Sequence, residues 1–266
     1  MRRFPMWLAS SLALAACGKT ADKAANAPAA DTASMAAPAE STAAAPAAPA
    51  GPQAIVTVIY KQPKSPAAFE KYYSEKHLPL VTSKQQEIGF TKAELTKFTS
   101  TLDGKKPTFY RQAELYFDNM DALKKGVATP GFKAVGDDLK NFATGGLIGL
   151  IAVETGDKGT AACPALATVI YNTPKDTAKF ESYYSSKHLP LVTSVQHEIG
   201  FTRADLTRFE SNLDGSKPAK YRQAELCFGS MDELKKGLAT PGFKKVGGDL
   251  KNFATGGLTG LIGEQQ

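Results

Sequence analysis

Residues 57–151 return at 168–262 without a gap, and 70 of those 95 positions are identical. The stretch FEKYYSEKHLPLV, from Phe69 to Val81, comes back as FESYYSSKHLPLV from Phe180 to Val192. A period of this size is that of a whole domain, so the chain is a tandem pair of similar units and not a solenoid of short repeats. Each unit, about one hundred residues long, is large enough to bury a core of its own.

Within one unit the hydrophobic pattern gives the order of elements. Residues 55–60 form a β-branched run that reads as a strand. Ser65 caps a helix with Pro66 in its first turn, and Asp176 takes the capping place in the copy. This helix is expected over residues 66 to about 77, ended by Pro79, with Phe69, Tyr73 and His77 on one face. Residues 89–98 and 110–117 alternate with period two and read as strands, joined by an Asp103-Gly104 turn. Asn119 caps a second helix, and in the copy Ser230 with Glu233 forms a capping box. Thr129-Pro130-Gly131 interrupts this helix, residues 132–142 resume it, and 147–153 close the unit as a strand.

The order strand, helix, strand, strand, helix, strand is the ferredoxin-like arrangement, an antiparallel sheet with both helices on one face. Ala113, Leu115 and Phe117 are expected to face the helices. Tyr110, Gln112, Glu114 and Tyr116 are expected on the bare face, with Tyr221, Gln223, Glu225 and Cys227 in the copy. Two such faces brought together give an intrachain α+β barrel, so the chain is expected to be a monomer with a pseudo-dimer inside it. The units are placed at 53–153 and 166–266, with a linker at 154–165. Cys163 precedes the first strand of the copy and Cys227 lies late in its third. Those strands are neighbours and antiparallel, so an oxidising compartment would permit a disulfide.

The N-terminus has a different composition. Arg2 and Arg3 precede an apolar stretch of 11 residues from Met6 to Ala16, too short to span a bilayer. It ends Leu14-Ala15-Ala16-Cys17, which resembles a bacterial lipobox. The resemblance implies a signal peptide over 1–17, cleavage before Cys17 and lipid on that cysteine. Gly18 follows, and with no Asp there the expected location is the outer membrane, facing the periplasm. Residues 18–52 are rich in Ala and Pro and read as a disordered tether. The net charge is +6, with no run of Lys or Arg, which argues against a nucleic-acid partner.

Tyr60, Phe69, Tyr72-Tyr73, His77-Leu78-Pro79-Leu80 and Gly131-Phe132 ahead of an Asp-rich helix resemble the EthD family, and the resemblance covers both units. It implies ferredoxin-like units paired in a barrel, and oxidoreductase activity on a small apolar molecule. The wider superfamily includes monooxygenases, isomerases, polyketide cyclases and haem proteins.

Candidate groups follow from chemistry and placement. His77 and His188 are candidate acid/base residues, or structural histidines at a helix end that the helix dipole would favour in the charged form. Glu114 and Glu225, expected inside the barrel, are catalytic candidates or halves of buried pairs completed by Lys, Arg or Gln, with Arg111 and Arg222 as available partners. Tyr60, Tyr110, Gln112, Tyr116, Tyr171, Tyr221 and Gln223 are candidate ligand-binding residues. The expected cavity lies between the two third strands, larger beside the second copy, with His77 and His188 at its ends. No metal-ligand spacing, phosphate loop or nucleophile motif is present in the sequence, and no cofactor is identified. The alternative to an enzyme is a non-catalytic binding or structural lipoprotein.

Overall fold

The computed structural model describes residues 52–156, 159 and 161–266. The proposed signal peptide, Cys17 and nearly all of the tether lie outside them. In repeat 1, strand β1 (Ala54–Lys61) leads to α1 (Pro66–Tyr72), a π-turn (Tyr73–His77) and α2 (Leu78–Ile88). Strands β2 (Lys92–Thr101) and β3 (Phe109–Phe117) follow, then α3 (Met120–Val127), α4 (Pro130–Asp138), a 3-10 turn (Leu139–Asn141) and β4 (Leu147–Glu154). Repeat 2 has β5 (Ala165–Asn172), α5 (Thr177–Tyr183), a π-turn (Tyr184–His188), α6 (Leu189–Ser194) and α7 (Gln196–Ile199). It continues with β6 (Arg203–Asn212), β7 (Lys220–Phe228), α8 (Met231–Leu238), α9 (Pro241–Asp249), a second 3-10 turn (Leu250–Asn252) and β8 (Leu258–Gln265).

Each repeat contributes a four-stranded antiparallel sheet, and the eight strands close into one barrel in the order β1-β3-β2-β8-β5-β7-β6-β4. The seams between repeats are β2 with β8 and β4 with β6. Among the described residues, closure leaves no open sheet edge, the usual point of attack for another strand. The caps act as the sequence indicates. The side chains of Ser65, Asn119, Asp176 and Ser230 each accept from a backbone N–H in the first turn of their helices.

Pro79 does not end the first helix. The π-turn before it widens the helix by one residue, and Leu78 N–H bonds back to Tyr73 O. The wide turn accommodates the proline, whose missing N–H and bulky ring would disrupt a regular helix interior. His77 is therefore buried in mid-helix and not at a C-terminus.

The expected alternation of β3 holds from Gln112 onward. Leu115 and Phe117 pack with Ile88, Leu123 and Val135 under the helices. Tyr116 joins Ile55, Ile59, Phe98, Leu150, Ile170 and Leu261 in the barrel interior. Tyr110 departs from the expectation. The register shifts from Tyr60 opposite Arg111 to Lys61 opposite Phe109, so Tyr110 is the extra residue of a β-bulge. The bulge sends Phe109 into the barrel and turns Tyr110 toward α1. The same shift at Tyr171 does this to Tyr221.

Candidate functional site

Inside the barrel, Gln112 Nε2 donates to Glu225 Oε1 at 3.3 Å and Gln223 Nε2 donates to Glu114 Oε1 at 3.1 Å. The two repeats thus exchange one amide and one carboxylate each. Tyr116 hydroxyl lies 2.8 Å from Glu94 and 3.1 Å from Glu114, and Thr168 hydroxyl donates to Glu225. Glu94 is also paired with Lys92 and with Arg203, which holds Asp205 as well. Arg111 and Arg222, offered by the sequence as partners for Glu114 and Glu225, point the other way. Each precedes an inward residue, so alternation takes it to the helix face. There Arg111 forks onto Glu70 of α1, and Arg222 onto Glu181. Tyr110 and Tyr221 hydroxyls donate to the same two carboxylates. Burial alone would raise the Glu70 carboxyl, but Arg111, Tyr110 and Lys97 outweigh it and hold the group at about 2.

Cys163 and Cys227 form a disulfide, which ties the segment before β5 to β7. Cys227 therefore serves a covalent bridge and leaves no thiol facing the barrel.

A cavity of about 390 Å³ lies on the opposite face of the repeat 1 sheet, between it and the helices. That volume is at the lower end for small-molecule sites. Val56, Val58, Leu95, Ala113 and Leu115 form its floor, Leu78, Val81, Phe132, Val135 and Leu139 its roof, and Leu213 enters from repeat 2. The cavity expected between β3 and β7 thus gives way to one on the helix side, and His77 lines its wall together with Tyr60 and Tyr73.

His77 is held from behind. Its Nδ1 is 2.9 Å from Asp138 Oδ2, and the ring lies 5.5 Å from Tyr73 and 4.6 Å from Phe142. Asp138 also accepts from Tyr72 hydroxyl at 2.7 Å and from Asn141 at 2.8 Å. Burial would raise the Asp138 carboxyl, but these three bonds lower it. An ionised carboxylate on Nδ1 fixes the tautomer, so that Nε2 is the ring's acceptor. Burial lowers the His77 pKa, and Asp138 only partly opposes this. The ring is therefore neutral at pH 7, the reverse of the charged form expected at a helix end.

Tyr60 and Tyr73 supply donors. Each is 2% exposed, and both line the cavity beside His77. Burial and the neighbouring Tyr73 keep the Tyr60 hydroxyl well above its ordinary value, and burial pushes Tyr73 up to about 12. Both stay protonated across the physiological range. Arg111 stacks over Tyr73 from the far side at 5.0 Å. The polar end of an apolar pocket thus holds two O–H donors and one imidazole acceptor. Repeat 2 repeats the arrangement in Tyr171, Tyr184, His188 and Asp249, with His188 Nδ1 at 2.8 Å from Asp249.

The sequence places Tyr73 on one helix face with His77, but neither Tyr73 nor Asp138 stood out there as a site residue. The repeat itself carried a signal for Asp138, because its neighbour Asp137 is Gly248 in the copy while Asp138 is kept as Asp249.

The EthD domain profile matches twice, over residues 61–146 and 172–257. The chain belongs to the EthD family. An uncharacterised 11.0 kDa protein of Rhodococcus erythropolis, from the thcB-thcC intergenic region, is 36% identical over 99 residues, 37% of this chain and 92% of that one. An EthD family protein from Bacillus halodurans is 26% identical, with 40% of this chain and 99% of that chain covered and a TM-score of 0.35. Over 81% of this chain and 91% of its own, an anthrone oxidase-like protein superposes with a TM-score of 0.55 at 13% identity. That last likeness speaks for the shared fold and selects no reaction.

Proposed function

We propose that this EthD-family chain binds a small apolar molecule carrying a carbonyl or hydroxyl oxygen in the repeat 1 cavity, and acts on it by proton transfer to His77. The observation that carries the reading is His77, held by Asp138, lining an apolar cavity beside two buried tyrosines. The apolar walls take the body of the molecule. Tyr60 and Tyr73 hydroxyls donate to its oxygen and stabilise negative charge that develops there, as oriented donors do in a dry site. Neutral His77 accepts a proton at Nε2, and Asp138 stabilises the resulting imidazolium. The apolar lining with Tyr60, Tyr73 and His77 at one end suits an oxygen-bearing arene as the ligand class. Calorimetric titration of the full chain with 2-naphthol, at neutral pH, tests the reading. Binding is expected in the wild type and a loss of about tenfold or more in His77→Phe. Equal affinity in both overturns the role of His77, and no binding by the wild type overturns the ligand site.

The site is further proposed to work outside the cytoplasm, on a lipid anchor at Cys17. The LAAC sequence supports the anchor, and the Cys163–Cys227 disulfide supports an oxidising compartment. Radiolabelled palmitate is expected to enter the wild type and not Cys17→Ser, and equal labelling of both overturns the anchor.

A further inference from the structure

We propose that Leu213, a residue of repeat 2, sets the size limit for ligands held in repeat 1. The inference rests on reading the repeat 1 cavity as a ligand site, and concerns which ligands that site accepts.

It starts from a missing side chain. Gly149 of β4 lies opposite Val58 of β1, one of the residues that floor the cavity. A side chain at 149 would line the cavity beside Val58, and glycine leaves a hole there. Leu213 fills it from the other repeat. A Cβ placed on Gly149 would meet Leu213 Cδ1 at 2.5 Å and Cγ at 3.1 Å. Leu213 N–H donates to Gly149 O at 3.0 Å, next to the β4–β6 pair Leu150 and Asn212. The turn that carries Leu213 is itself fixed. Asn212 N–H donates to Ser216 O, and Ser216 N–H and hydroxyl both donate to Asp214 Oδ1. Leu213 is thus a wall held by backbone bonds.

Its distance from the polar end decides the ligand class. Tyr60 and Val58 are one side-chain repeat apart on the same face of β1, roughly 7 Å along the strand. That is close to the long dimension of a fused two-ring arene. A ligand whose oxygen sits among Tyr60, Tyr73 and His77 therefore meets Leu213 with its second ring. Because the contact comes from repeat 2, repeat 1 alone has an unfinished site.

The tandem arrangement provides its own control. Leu102 of repeat 1 makes the reciprocal contact on Gly260, with Leu102 N–H donating to Gly260 O at 3.1 Å. The test titrates the full chain with phenol, 2-naphthol and 2-hydroxyanthracene, and reads the ratio of three-ring to two-ring affinity. Leu213→Ala is expected to raise that ratio roughly tenfold, the scale on which a few methylenes of pocket wall discriminate. Leu102→Ala is expected to leave it unchanged, because Leu102 packs against the core of repeat 2 and does not line the repeat 1 cavity. Leu213→Phe, which keeps the hole filled, is expected to lower 2-naphthol affinity relative to phenol, and so tests the claim should the alanine variant fold poorly. An unchanged ratio in Leu213→Ala with naphthol still bound, or an equal shift in Leu102→Ala, overturns the role of Leu213 while leaving the ligand site intact. Failure of the wild type to bind any of the three overturns both.

Discussion

His77 illustrates how far one side chain's role depends on its surroundings. Burial and a carboxylate pull its titration in opposite directions, and burial wins. The consequence for stability follows from the sign. A histidine whose folded pKa lies below its unfolded value contributes fully when pH is above the unfolded value of about 6.5, and that contribution is lost as pH falls from there through the folded pKa. His188 acts in the same direction. Denaturant unfolding of the wild type is therefore expected to show stability falling between about pH 7.5 and about pH 5.5, a window above the range in which carboxylates titrate. The double variant His77→Phe, His188→Phe is expected to lose most of that slope. A wild type equally stable at both pH values would contradict the burial argument. Glu70 titrates in a separate window. Its depressed carboxyl supports the fold above the ordinary glutamate range and gives way as pH falls toward about 2.

At the scale of elements, close approach decides more than propensity. Gly126 sits in α3, where alanine is favoured over glycine by about 1 kcal/mol. Yet a Cβ there would run into Ile88 O at the end of α2 and come within 2.7 Å of Phe117 Cε1. Backbone cannot step aside as a flexible side chain can, so Gly126→Ala is expected to destabilise by about 1–3 kcal/mol in spite of its helix propensity. An unchanged or raised midpoint in urea would show that α3 is free to shift. The second helical segment differs between repeats for a local reason. α2 runs unbroken from Leu78 to Ile88, whereas its copy breaks at Val195, which replaces Lys84. Lys84 stays at the surface and pairs with Glu87, while Val195 packs into the repeat 2 core. The strands and caps were legible in the sequence because alternation and capping residues are local signals. The Tyr110 bulge, the π-turn before Pro79 and the cavity were not, because each depends on which residues face one another across elements. The same holds for the site. His77 and Tyr60 stood out by residue type, but Asp138 reaches His77 from 61 positions away in a different helix.

Over the whole molecule, the two repeats are joined by strand seams and by the exchanged amides. Gln223 is fully buried and donates to Glu114 of the other repeat. Removing one partner of a buried hydrogen bond costs about 1–3 kcal/mol. Gln223→Leu, close in volume, is expected to lower unfolding stability by about that amount, and a neutral result would remove the cross-repeat bond from the account of pairing. The isolated unit 53–155 provides the sharper test. Its sheet would run β4-β1-β3-β2, leaving β2 and β4 as bare edges where β8 and β6 now pair. Its inner face would also expose Ile55, Ile59, Phe98 and Leu150 together with Gln112 and Glu114. Because the Gln and Glu of that face are the same in both repeats, a second copy of repeat 1 presents the same amide and carboxylate and the same two edges. The fragment 53–155 is therefore expected to dimerise or aggregate, while 53–266 remains monomeric in sedimentation. A stable, soluble monomer of 53–155 would mean that one repeat can leave both edges and an apolar face in water, and would remove the physical reason for two copies in one chain.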